Sequence, residues 1–75
     1  MTGKHRTLAI RGGFIELYKI LKIENMAASG GEAKYLIAAG QVLVNGKVET
    51  RKRRKTVAGD VVEVHGEQVR ITAGE

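Results

Sequence analysis

"SGGEAKYLIAAGQVLVNG", residues 29–46, holds a helix start, a helix stop and a hairpin turn in succession. Ser29 and Glu32 have the spacing of a capping box, in which the serine hydroxyl accepts from a first-turn N–H and the glutamate accepts from the serine N–H. Ala33, Leu36 and Ile37 supply one apolar stripe, and Gly40 stands where a C′ glycine ends a helix. Beyond it the period falls to two. Val42 and Val44 alternate up to Asn45–Gly46, a pair that favours a type I′ hairpin turn.

Working outward, Phe14, Leu17, Tyr18 and Leu21 recur at i, i+3, i+4 and i+7, which predicts an earlier helix starting at Phe14, with Glu16, Lys19 and Lys22 off its stripe. Asn25 tolerates the left-handed conformation that stops a helix, and Met26 can fold back on its last apolar turn. Only about four residues then separate the helices, so they form a tight hairpin or corner. Thr7 to Ile10 reads as an edge strand ended by Gly12 and Gly13. Val62 and Val64, a turn near Gly66, then Val69 and Ile71 make a second hairpin. The fold class is α+β: a compact two-helix unit followed by a small antiparallel or mixed sheet of short hairpins. Residues 1–75 are one domain, of a size whose core alone yields about 3–5 kcal/mol.

Charge is concentrated. Lys47, Arg51, Lys52, Arg53, Arg54 and Lys55 stand against one acid, Glu49, a local balance of +5 that equals the net charge of the whole chain. A neutral body with one positive segment suits a polyanionic partner, although a charge run is also an ordinary solvated loop. The run falls between the two hairpins, on a connection or short edge strand where its charges stay hydrated. If it is extended, Arg51, Arg53 and Lys55 share one face while Lys52 and Arg54 share the other.

Other classes fit poorly. There is no cysteine, and His5 and His65 lie far apart in sequence, so neither a metal nor a cofactor is expected. The lone aspartate, Asp60, reads as a turn residue before a strand and His65 as a solvated histidine, leaving no catalytic set. No apolar run approaches the ~18 residues of a membrane span, no signal-peptide core opens the chain, and both helical stripes are needed for the core. A cytoplasmic monomer that does not bind membranes is expected.

The order Ser29, Ala33, Leu36, Ile37, Gly40, Val42, Val44, Asn45, Gly46, Gly59, Asp60, Val62, Val64 resembles the RNA-binding domain first described in ribosomal protein S-four, also called the alpha-L motif. The likeness runs over residues 14–64. One departure is informative: many members carry arginine directly after the helix-two serine, where this chain has Gly30 and Gly31. "LKI" at 21–23, "SGGEAK" at 29–34 and "ETRKRRK" at 49–55 are similar to a small stand-alone bacterial branch in which the domain is the entire protein. The resemblance implies RNA binding without an attached catalytic unit, and points first to ribosomal RNA or the ribosome.

Physical chemistry suggests roles beside that likeness. Gly30 and Gly31 leave the first amides of helix two unshielded for a phosphate, a role compatible with plain capping at Ser29 and a tight turn. Lys34 either adds a point charge there or lies on a solvated face. Arg51, Arg53 and Arg54 offer planar forks for phosphate oxygens, with Lys47, Lys52 and Lys55 adding charge. Of three aromatics, Phe14 and Tyr18 read as core and Tyr35 as the one stacking candidate. Recognition should therefore lean on phosphates and on the shape of structured RNA. The competing reading is a protein-interaction module that docks an acidic partner through the basic loop or an open strand edge.

Overall fold

The computed structural model describes residues 5–74. Strand β1 (His5–Ile10) is followed by the two-residue strand β2 (Ile15–Glu16), then helices α1 (Leu17–Ile23) and α2 (Gly30–Ala38). Five strands complete the chain: β3 (Val42–Val44), β4 (Lys47–Val48), β5 (Lys55–Thr56), β6 (Val61–Val64) and β7 (Glu67–Ala73). The main sheet has the order β1-β7-β6-β3-β4, and β2 pairs with β5 in a separate antiparallel ribbon. β1 stands at one end of that order, so the Thr7–Ile10 segment is an edge strand as its sequence suggests, and it joins β7 in the one parallel pairing of the main sheet.

Both helices stop by the same device. At the end of α1, Asn25 takes a φ of 58° while Met26 N–H donates to Leu21 C=O at 2.8 Å and Asn25 N–H to Lys22 C=O at 3.2 Å. Gly40 repeats this after α2 at φ 78°, with Gln41 N–H donating to Leu36 C=O at 3.0 Å and Gly40 N–H to Ile37 C=O at 3.1 Å. These are Schellman motifs, which return two orphan carbonyls to hydrogen bonding and turn the chain sharply. The first brings α2 back against α1; the second launches β3. Asn45 and Gly46, at φ 54° and 82°, then make the expected I′ turn, and His65–Gly66 makes another at 51° and 84°.

Alternation along the strands places Val42, Val44, Val62, Val64, Val69 and Ile71 on the face that meets Leu17, Ile20, Leu21, Ala33 and Ile37 in one core. The opposite face of the sheet carries Thr7, Leu43, Val61, Glu63, Gln68 and Arg70, by the same pleat.

One boundary departs from the sequence reading. The first helix starts at Leu17, three residues after Phe14, because Ile15 and Glu16 are extended and pair with Thr56 and Lys55. Phe14 is consequently 46% exposed and lies outside the core. Local periodicity favoured a longer helix, and a tertiary strand pairing overrode it.

Leu21 is fully buried between the helices. Truncating such a leucine costs about 2–5 kcal/mol, comparable with the ~3–5 kcal/mol that a core of this size supplies. Leu21→Ala should therefore be largely unfolded at 25 °C by circular dichroism, whereas Ile23→Ala, at an exposed position on the same helix, should melt cooperatively.

Candidate functional site

The basic run is not a free loop. Glu16, the residue before α1, offers no side-chain cap, so the helix's first amides need other acceptors. The run provides them: Leu17 N–H donates to Arg54 C=O at 3.0 Å and Tyr18 N–H to Lys52 C=O at 3.1 Å. Arg54 N–H closes a turn onto Arg51 C=O at 3.2 Å, and the buried Thr56 hydroxyl donates to Arg54 C=O at 3.3 Å. Residues 51–54 are thus a tight turn seated on the start of helix one. The alternating faces of an extended segment do not occur there.

Two arginines of the run are committed to holding it. Arg54, with a side chain 23% exposed, reaches Glu49 at 3.1 Å and Asp60 at 3.2 Å. Asp60 also accepts from Val57 N–H at 3.0 Å and from the Asn45 amide at 2.9 Å, while the Asn45 oxygen accepts from Val61 N–H. Burial by itself would raise the Asp60 pKa, but those hydrogen bonds and the Arg54 charge outweigh it and lower it. Arg51 grips Glu49 with two parallel N–H···O contacts of 2.9 Å, and its backbone N–H adds a third. The Arg51 hydrogen bond is the main reason that the Glu49 pKa falls to about 2.

Arg53 points elsewhere. Its guanidinium lies 5.7 Å from the centre of the Tyr18 ring, where Lys34 of α2 approaches to 4.7 Å and Lys19 of α1 to 6.0 Å. Three cations from three segments therefore meet at one half-buried ring, whose face attracts each of them. Beside it, Tyr18, Lys19, Lys22, Ile23 and Gly30 line a groove of about 400 Å³ between the helices. On the turn side Arg51, Arg53, Arg54 and Lys55 line a second depression, of about 570 Å³.

The start of α2 faces that groove. Ser29 Oγ accepts from Glu32 N–H at 3.1 Å, as the capping box requires, but the Glu32 carboxylate accepts from Ala28 N–H, one residue before the serine. Among the described residues no carbonyl or side chain accepts from the amides of Gly30 and Gly31. Neither glycine has a positive φ; a Cβ at Gly30 would meet nothing within 4 Å, and one at Gly31 only Ser29 Oγ at 3.9 Å. Packing does not demand glycine at either position, and glycine is a poor helix former. Open access to the amides is what the two glycines add.

The sequence-derived candidates thus divide. Lys34 and Arg53 converge on the Tyr18 ring, which lines one groove with Gly30 of the α2 start, while Lys52 stands in the turn and Lys55 in β5. Arg51 and Arg54 are neutralised by carboxylates, Lys47 stands on the edge strand β4, and Tyr35 projects from α2 at 69% exposure. Tyr18, Lys19, Lys22 and Phe14 are not among those candidates: the sequence reads Phe14 and Tyr18 as core and the two lysines as off the helical stripe. Lys19 and Lys22 were visible as a cationic i, i+3 pair off the apolar stripe of α1. The role of Tyr18 depends on a turn more than thirty residues away, which no local pattern encodes.

Comparison with known proteins gives concordant results. The family model described as "S4 domain" matches residues 8–72. The chain is similar to the "Putative RNA-binding protein YbcJ" of Escherichia coli, at 51% identity over 59 residues, covering 79% of this chain and 84% of that protein. It is 39% identical over 59 residues to the "Probable ribosome maturation protein RlbA" of Bacillus subtilis, covering 79% and 83%. The solution structure of E. coli YbcJ, described as revealing an alpha-L motif involved in RNA-binding, superposes with a TM-score of 0.67 at 42% identity, over 97% of this chain and 91% of that one.

Two outcomes test the division of the cations. Arg54→Ala removes the charge that bridges Glu49 and Asp60, leaving Glu49 to Arg51 and Asp60 to the Val57 and Asn45 donors, and should cost about 1–2 kcal/mol in urea unfolding, against less than about 0.5 kcal/mol for the exposed Arg53→Ala. The Glu49 pKa is depressed from 4.5 to about 2 in the folded state, so its contribution is complete above pH 4.5 and is lost as the pH falls towards 2. The melting temperature of the wild type should drop through that window, and Glu49→Gln should flatten the drop.

Proposed function

The chain belongs to the S4 domain family, and from that premise we propose that it is a non-catalytic RNA-binding protein that recognises structured RNA by its phosphates, with ribosomal RNA or an assembling ribosome as its target. The observation that carries the reading is the convergence of Lys34, Arg53 and Lys19 around Tyr18, a ring that lines one groove with Gly30 at the start of α2. A phosphate in the groove would meet the ammonium groups of Lys19 and Lys22 from one side and the positive end of α2 from the other, with Arg53 at the adjoining Tyr18 ring. Cations held at fixed spacing on three elements suit a backbone of defined shape better than a flexible strand, which favours folded RNA. The YbcJ and RlbA names support RNA and ribosome maturation respectively as the direction of search.

With about four to six phosphates neutralised, the logarithm of the binding constant should fall against log[salt] with a slope of roughly −3 to −5 for a ribosomal RNA hairpin. Lys34→Gln with Arg53→Gln should lower affinity at least about tenfold, near 1.4 kcal/mol, and flatten the slope by about 1–2. Arg51→Gln, which removes a cation already paired with Glu49, should cost much less. Gly30→Asp places a carboxylate at the proposed phosphate seat and should weaken binding while helix content is kept, since acids are tolerated at helix N-termini. Salt-insensitive binding, or capture of an acidic protein that survives nuclease treatment while RNA binds no better than background, would replace this reading with protein docking.

A further inference from the structure

Of the three aromatic residues in the chain, two stand well out of the core: Tyr35 and Phe14. Phe14 differs in its surroundings. It follows Gly12 and Gly13, which carry no side chains that could lie over the ring. It is anchored by the next residue, because Ile15 pairs with Thr56 and takes the inward position. The partner strand β5 brings Lys55, whose ammonium lies 4.9 Å from the centre of the Phe14 ring, and Lys55 also lines the arginine-rich depression of the turn. Nearly half of the residue is nevertheless open to water. An exposed ring with a lysine on it, at the margin of a cationic depression, has the make-up of a site that takes a flat aromatic group carrying an attached anion.

We propose that Phe14 is the stacking position for one unpaired base of the bound RNA, with Lys55 holding the phosphate of the same or the neighbouring nucleotide. This deepens the RNA-binding reading and rests on it: the ligand becomes a folded RNA with an extruded or terminal nucleotide, and a fully paired duplex is the poorer substrate. Tyr18 is unsuited to this role because Lys34, Arg53 and Lys19 already gather at its ring. The site was concealed in the sequence because Phe14 lies in register with the apolar stripe of α1.

Two RNA hairpins of identical stem sequence, one with a single-nucleotide bulge and one without, are titrated against the wild type, Phe14→Leu and Phe14→Trp. The wild type should prefer the bulged hairpin at least about fivefold. Phe14→Leu should lose that preference and keep the salt slope, since no charge is removed. Phe14→Trp should keep the preference, and its fluorescence should be quenched by the bulged RNA alone. Equal binding of both hairpins by the wild type, or a full preference retained in Phe14→Leu, overturns the stacking site while leaving phosphate-led RNA binding in place. If neither hairpin shows salt-dependent binding to the wild type, the RNA reading itself fails. Should Phe14→Leu fold poorly, the quenching of Phe14→Trp decides: a signal unchanged by bulged RNA overturns the proposal.

Discussion

Two backbone hydrogen bonds, from the amides of Leu17 and Tyr18 to the carbonyls of Arg54 and Lys52, set the position of the basic turn on helix one. The first turn of a helix always has amides to satisfy, and α1 begins at a residue that does not cap it. Main-chain carbonyls from the basic turn fill the need, which leaves its side chains free for other contacts. Helix one gains its missing acceptors and the turn gains a rigid seat. Because α2 is folded against α1 by the Schellman turn at Asn25, the same two bonds bring Arg53 of the turn to the Tyr18 ring that Lys34 of α2 also approaches.

The charges of the turn follow a division of labour. Packing so many cations into one turn is costly unless some are compensated, and Glu49 and Asp60 compensate Arg51 and Arg54. These pairs are tied through Asn45 to the hairpin turn of the sheet, which stiffens the loop from its far side. Arg53, Lys52 and Lys55 are left without such close carboxylate contacts. Arg53 has only a loose 3.9 Å approach to Glu16, of the kind that water readily screens. The number of basic residues in the segment therefore overstates the charge it can offer, while Lys22 and Lys34 on the helices restore part of it, Lys19 sharing Glu16 at 3.7 Å.

Much of this was legible in sequence where the signal is local. The capping residue Ser29, the stops at Asn25 and Gly40, the turn at Asn45–Gly46 and the alternating valines each act through neighbours within a few residues, and each appears in the structure as expected. What local patterns could not reveal depends on long-range pairing. Ile15 and Glu16 are strand because β5 lies beside them, so the helix is shorter than its stripe and Phe14 is outside it. Arg54 resembles its neighbours in sequence and differs from them only because Glu49 and Asp60 fold around it. The convergence of Lys34 with Arg53 needed the three-dimensional position of Tyr18, although each cation separately was a visible candidate.

The central claim is that the basic turn and the start of helix two are one surface. Backbone amide shifts followed by two-dimensional NMR during titration with a ribosomal RNA hairpin address it directly. Tyr18, Gly30, Gly31, Lys34 and the amides from Lys52 to Lys55 should shift together along one binding curve, with Thr7, Gln68 and Arg70 on the opposite sheet face unmoved. Shifts confined to either segment alone, or centred on that sheet face, would contradict the account.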